Sequence, residues 1–175
     1  NRQFYESVKF AKKFYDENSI SLIKVSIPEK NNEIINLKRF PMSVYENSIH
    51  MIDLLNFITG NCNFDYCKSL IYQQKYKTII ATGTSKRGNL IQLDVCFNSS
   101  DNFSIDIISE KKRVRLSPIE IARFYDGIEI IHPTKEISVR RYNPIIHKEV
   151  ITADINNLKP GFYEQALDFN KFCKG

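Results

Sequence analysis

From about residue 65 to residue 150 the chain keeps a period-two rhythm in short runs, and nothing else in it constrains the fold as strongly. Ile91, Leu93, Val95 and Phe97 alternate with Gln92, Asp94 and Cys96. Phe103, Ile105 and Ile107 alternate with Ser104 and Asp106, and Val114 and Leu116 with Arg113 and Arg115. Successive side chains of a strand point to opposite faces, so each run reads as a strand buried on one side. Turn-forming residues separate the runs: Lys86-Arg87-Gly88-Asn89, Ser99-Ser100-Asp101-Asn102, Asp126-Gly127 and His132-Pro133. Links this short leave no room for crossover helices, so the strands are expected to pair mainly antiparallel.

Helical spacing frames this region. Phe4, Val8, Ala11 and Tyr15 predict an amphipathic helix over residues 5–17, ended by Asn18-Ser19. Residues 20–27 read as a strand closed by Pro28, and residues 29–40 as a polar loop. Pro41 suits the first turn of a second helix, which runs to about Thr59 and stops at Gly60. A last helix starts near Pro160, with Phe162, Ala166, Phe169 and Cys173 on one face. The predicted class is therefore α+β: an open, mainly antiparallel sheet with helices packed on one face. With 175 residues, 42% of them hydrophobic, the chain is one domain long enough to bury a real core.

The formal net charge of +5 admits an anionic partner. The basic residues are scattered among acidic ones, however. The densest groups, Lys111-Lys112-Arg113-Val114-Arg115 and Arg140-Arg141, fall in strands or turns, where they read as solvated surface rather than a nucleic-acid footprint. Four cysteines, Cys62, Cys67, Cys96 and Cys173, form no CxxC pair. Cys96 and Cys173 sit in apolar patterns, so buried thiols in a reducing, cytoplasmic setting are expected, with a Cys62–Cys67 disulfide the less favoured option. No apolar run reaches membrane-helix length. The chain opens Asn1-Arg2-Gln3-Phe4, with neither a signal-peptide pattern nor Met, and reads as a fragment of a longer polypeptide. His132 and His147 lack partners at ligand spacing, so no metal site is expected.

The second helix carries the one constellation with chemical content. Its later half is apolar almost all round, yet Glu46, His50 and Asp53 stand at i, i+4 and i+7, on one stripe. That stripe is either the solvent face or the polar lining of a cleft. In the second case an imidazole with a carboxylate one turn away is suited to taking a proton from a substrate hydroxyl.

The run Glu46-Asn47-Ser48-Ile49-His50-Met51-Ile52-Asp53-Leu54-Leu55-Asn56-Phe57-Ile58-Thr59-Gly60 resembles a helix motif of the glucose-fructose oxidoreductase / inositol dehydrogenase / MocA-like family of NAD(P)-dependent oxidoreductases. The opening Asn1-Arg2-Gln3-Phe4 is similar to the family segment that follows the cofactor domain, with Gln3 in place of an Arg. Gly161-Phe162-Tyr163-Glu164-Gln165-Ala166 is similar to its C-terminal helix, and Leu116-Ser117-Pro118 to a strand-then-proline pattern. The likeness spans the chain.

The resemblance implies a C-terminal domain of dihydrodipicolinate reductase-like or glyceraldehyde-3-phosphate dehydrogenase-like fold, used for substrate binding and oligomerisation. It implies a preceding Rossmann domain in the same polypeptide that binds NAD or NADP and supplies a catalytic Lys. His50 matches the family's catalytic His, and Glu46 falls where the family often has a catalytic Asp. Arg2, Asn47 and Tyr163 are the expected substrate-binding residues; a surface role is equally open for Arg2, and the apolar neighbours of Tyr163 and Gln165 make helix packing the safer reading for those two. The implied substrate is a sugar, cyclitol or sugar nucleotide, and the isolated domain should not turn over. The alternative is a non-catalytic assembly and recognition module, joined to a second copy through the wet sheet face that carries Leu90, Cys96 and Ile108.

Overall fold

A computed structural model of the chain describes residues 1–30, 48–73, 75–154 and 158–174. A single-turn 3-10 helix at Arg2–Phe4 leads into α1 (Glu6–Glu17), β1 (Ile20–Glu29) and α2 (Ile49–Thr59). Seven strands follow: β2 (Cys62–Tyr72), β3 (Lys75–Ser85), β4 (Leu90–Phe97), β5 (Ser104–Ser109), β6 (Lys112–Leu116), β7 (Ile121–Ile131) and β8 (Arg141–Ile151). The chain then forms α3 (Phe162–Lys174).

All eight strands join one sheet in the order β2-β3-β4-β1-β5-β6-β7-β8. Every pairing is antiparallel except β1 with β4, which run parallel from Leu22 opposite Leu90 to Glu29 opposite Phe97. The expected α+β sheet is thus present, with β1 inserted between two strands that follow each other in sequence.

The period-two pattern decides which face is covered. Ile23, Val25 and Ile27 of β1, Ile91, Leu93 and Val95 of β4, Ile105 and Ile107 of β5, and Val114 and Leu116 of β6 are all buried. Against them lie Val8, Ala11 and Tyr15 of α1 and Met51, Leu54, Leu55 and Ile58 of α2. The opposite face is mixed, with Ile80 and Leu90 exposed on it. One row across it reads Thr82, Gln92, Lys24, Asp106, Arg115, Arg123 and Glu149, each opposite the next. Asp106 is nevertheless covered: the Arg113 guanidinium donates to it from 2.7 Å.

The buried Tyr15 hydroxyl donates to the Asn89 Oδ1 at 2.8 Å, and the Asn89 amide donates to the Ile20 carbonyl at 2.6 Å. These bonds tie the β3–β4 turn to the end of α1.

Three sequence expectations need correction, and a fourth lies partly outside the described residues. Pro28 does not close β1. It sits opposite Cys96 beyond the last residue paired with β5, Ser26, so its missing N–H faces no partner strand. Asp126-Gly127 is not a turn but a β-bulge inside β7, where the register shifts and Gly127 has φ 79°. The helix expected to begin at Pro41 is described only from Ile49, and Glu46 and Asn47 lie outside the described residues. The thiols are not uniformly buried: Cys67 and Cys173 are exposed, Cys62 and Cys96 are half-buried, and all four are free. Cys96 belongs to the face that α1 and α2 leave open, and Cys173 to a helix with no buried residue.

That helix is α3. Its apolar stripe exists, but Phe169 is 67% and Phe172 84% exposed. It follows the last strand, and none of its residues is buried.

Candidate functional site

Glu29 faces the helix layer by strand parity, and its carboxylate is buried. The Ser48 hydroxyl donates to it at 2.6 Å, immediately before α2 begins. This bond anchors the N-terminal end of α2 against the end of β1, and His50 stands on the first turn beyond it. The His50 side chain is exposed, and no described residue hydrogen-bonds its ring.

His50 opens on a cleft of about 690 Å³ whose walls come from five parts of the chain. Asn1, Arg2 and Tyr5 precede α1, Glu120 lies in the β6–β7 turn, and Thr152 and Asp154 follow β8. Lys159, Pro160, Phe162 and Gln165 close it from the start of α3. Arg2 is held in place by the face of Phe103, 5.1 Å from its ring centroid, and by the Met51 sulfur at 3.5 Å.

The floor is hydrogen-bonded into a knot. The buried Ser7 hydroxyl donates to the Ile119 carbonyl at 2.7 Å, and the Ser7 N–H donates to the Thr152 Oγ1 at 3.1 Å. The Thr152 N–H donates to the Glu120 carbonyl at 2.8 Å. Three segments distant in sequence are thereby fixed around Tyr5. The Tyr5 ring is buried, and its hydroxyl has no hydrogen-bond partner among the described residues. Burial pushes the Tyr5 pKa up. Glu120 and Asp154 add to that shift and Arg2 opposes it.

Gly161 supplies the close approach that seats α3. At φ 81° it lies where a β-carbon would collide with the Asn1 carbonyl and press on the Tyr5 ring.

The structure therefore brings together two of the residues expected from sequence, His50 and Arg2. Glu46 and Asn47 fall outside the described residues, and Asp53 is exposed without lining the cleft. Tyr163 is 39% exposed and also stands outside the lining, whereas Gln165 belongs to it. Sequence reading missed Tyr5, Glu120, Thr152, Asp154 and Lys159. The usable signal was positional: Glu120 follows Pro118 between two strands, and Thr152 and Asp154 follow directly on the last strand.

Among the described residues no group of three or more His, Cys, Asp or Glu is placed to hold a metal ion. No described helix is long and apolar enough to cross a membrane. The described glycines with positive φ stand singly at a helix cap, a turn, a bulge and the α3 approach, and none opens a strand-to-helix phosphate cradle.

The same fold is found in solved structures that include dehydrogenases. Three solved structures represent it. A dehydrogenase (MviM) from Clostridium difficile matches over 99% of this chain and 52% of its own, with TM-score 0.68 and 15% identity. The super-repressor mutant of Gal80p from Saccharomyces cerevisiae matches over 99% and 51%, with TM-score 0.61 and 11% identity. Levoglucosan dehydrogenase, in complex with NADH and L-sorbose, matches over 97% and 52%, with TM-score 0.57 and 9% identity. The chain thus spans about half the length of these structures. No protein-family model and no curated protein matches it.

Proposed function

We propose that this chain is the substrate-binding and catalytic C-terminal domain of an NAD(P)-dependent oxidoreductase. It acts on a CH–OH group of a sugar, cyclitol or sugar nucleotide, in a reducing intracellular compartment. The observation that carries this reading is the cleft itself. His50 projects into a pocket with Arg2, Tyr5, Glu120, Asp154, Lys159 and Gln165, a convergent set of donors and acceptors suited to a polyhydroxylated ligand.

In this reading His50 takes the hydroxyl proton of the carbon being oxidised, and Glu46 orients or tunes it. Arg2, Asn47 and Tyr163 belong to the substrate side. When bound, the nicotinamide dinucleotide supplies the hydride acceptor. Its phosphates are assigned to a Rossmann domain of the same polypeptide, which also brings a catalytic Lys for the developing oxyanion. The groove of Gln3, Phe4, Phe162, Ala166, Phe169 and Phe172 beside the cleft supports a partner domain docked along α3. The isolated domain is then inactive. In the full-length protein, His50→Ala should lower turnover by roughly 100-fold or more with the circular dichroism spectrum unchanged. Unaltered turnover would remove His50 from the mechanism.

A second reading is favoured by one observation: a fold shared with Gal80p, described as a repressor, does not require catalysis. As a non-catalytic module the chain would assemble through its open sheet face, where Leu90 is 62% exposed beside the polar row. Light scattering separates the two features. A strict monomer in both isolated and full-length forms rules out sheet-mediated assembly, and turnover in the full-length form rules out the non-catalytic reading.

A further inference from the structure

We infer that Glu29 is a positioning residue for the cleft: through its hydrogen bond to Ser48 it fixes the point from which the His50 imidazole projects. The inference rests on reading His50 as part of the substrate site, and it adds a residue that reading does not use.

Glu29 stands in an apolar row. Ile23, Val25 and Ile27 precede it at every second position of β1, face the helix layer and are fully buried. Strand parity gives Glu29 the next place in that row, and it is only 4% exposed. A carboxylate is costly to bury, and replacing both members of a buried hydrogen-bonded pair by apolar groups of the same shape is often neutral or stabilising. What an acid adds in this place is a bond of fixed direction.

That direction is towards α2. Ser48 is fully buried, has helical backbone angles of φ −63° and ψ −27°, and makes no side-chain bond to its own helix end. A serine at a helix end ordinarily directs its hydroxyl to a nearby backbone group. Here the hydroxyl donates across to the Glu29 carboxylate at 2.6 Å. The acceptor is itself held. Glu29 lies opposite Phe97 of β4, and its carbonyl accepts from the Asn98 N–H at 2.6 Å. One residue beyond His50, Met51 is fully buried, and its sulfur meets the Arg2 guanidinium at 3.5 Å. His50 therefore opens on the cleft between two fixed points. A displacement of about 1 Å at a reacting group can cost about 100-fold in rate, so a tether two residues away bears directly on it.

The test uses the full-length protein carrying isotope-labelled histidine. The His50 ring resonance is assigned by its loss in His50→Ala, and it reads the position of the imidazole without any substrate. Ser48→Ala removes the donor, and Glu29→Met/Ser48→Ala replaces the whole pair by apolar groups. Both should displace or broaden the His50 resonance, and Ser48→Thr should return it towards the parent. The denaturant midpoint should fall in Ser48→Ala and recover in the apolar double variant, while the His50 resonance stays displaced. That dissociation is what a merely structural pair would not give. Ser48→Cys, close in size and a weak donor, takes the place of either variant that does not fold, with the same displaced resonance expected. Initial rates of NAD reduction with D-glucose or myo-inositol supply the second readout. Both variants should lower kcat by about tenfold or more. KM should stay within about twofold. Adding Ser48→Ala to His50→Ala should lower kcat no further.

A His50 resonance unmoved in Ser48→Ala, or one that recovers together with the midpoint in the apolar variant, overturns the inference. So does a further fall in kcat on the His50→Ala background. The outcomes separate it from the functional reading. Turnover unaltered in His50→Ala removes that reading, and the ring resonance still decides the positioning. Turnover lost in His50→Ala with the resonance unmoved in Ser48→Ala keeps the reading and removes Glu29 from it.

Discussion

The Ser48 hydroxyl donates a 2.6 Å hydrogen bond to the Glu29 carboxylate, and both residues are buried. The acid closes β1 and the hydroxyl precedes α2, so this single bond joins the central strand to the helix that carries His50. Ser48→Ala would leave a buried carboxylate oxygen without its donor. A hydrogen bond to a charged group typically stabilises by about 2 kcal/mol. A loss of that size in urea unfolding is expected, and Ser48→Thr should restore part of it. A variant as stable as the parent would mean that water or another side chain replaces the hydroxyl.

Gly161 seats α3 at a backbone conformation and a distance that a side chain cannot share. Gly161→Ala adds the roughly 1–2 kcal/mol cost of positive φ to a clash with the Asn1 carbonyl and the Tyr5 ring. Because α3 buries no residue, the expected outcome is local. Amide hydrogen exchange should accelerate in residues 1–5 and at the start of α3 while β1 and β4 keep their protection. Uniform loss of protection would refute the local account.

Tyr5 makes stability depend on alkaline pH. Burial, reinforced by Glu120 and Asp154, holds its pKa above the ordinary tyrosine value in the folded chain. At neutral pH the phenol is protonated in both states and contributes no pH dependence. As pH rises past the unfolded value, the folded chain retains a proton that the unfolded chain releases, so stability falls. Tyr5→Phe should lose less stability than the parent between about pH 9 and about pH 11, measured by denaturant midpoints. Parallel profiles would remove Tyr5 as the source.

The thiols should label in an order set by access and charge state. Cys67 and Cys173 are exposed, whereas Cys62 is half-buried, and burial pushes its pKa up against a weaker opposing hydrogen bond from Thr59. Since the thiolate is the nucleophile, Cys62 should react more slowly at neutral pH than the two exposed thiols. Mass-resolved alkylation would expose the opposite order directly.

How much of this was legible follows from which forces leave a local trace. Alternation along residues 91–97 and 105–107 marked the buried face, because period two is set by strand geometry alone. The helical stripe of Val8, Ala11 and Tyr15 was equally plain. Pro28 misled because its cost depends on whether a strand lies beside it, which is tertiary information. Gly127 misled because a bulge and a turn use the same residue. His50 stood out within its helix, and a likeness to known proteins gave it a role. Tyr5, Glu120, Asp154 and Lys159 did not stand out, since each is ordinary in its own segment and they meet only after Ser7, Ile119 and Thr152 bring three distant stretches together.

The position of β1 has one more consequence. β4 and β5 are consecutive in the chain, yet no hydrogen bonds join them, because β1 lies between them. Remove it, and the sheet becomes two antiparallel meanders, β2-β3-β4 and β5-β6-β7-β8, with no backbone bonds between them. The domain is in that sense a two-piece assembly whose fastener is its own first strand. Such a strand is a natural candidate for complementation in trans, with a peptide spanning α1 and β1 restoring a single sheet to a chain that lacks them.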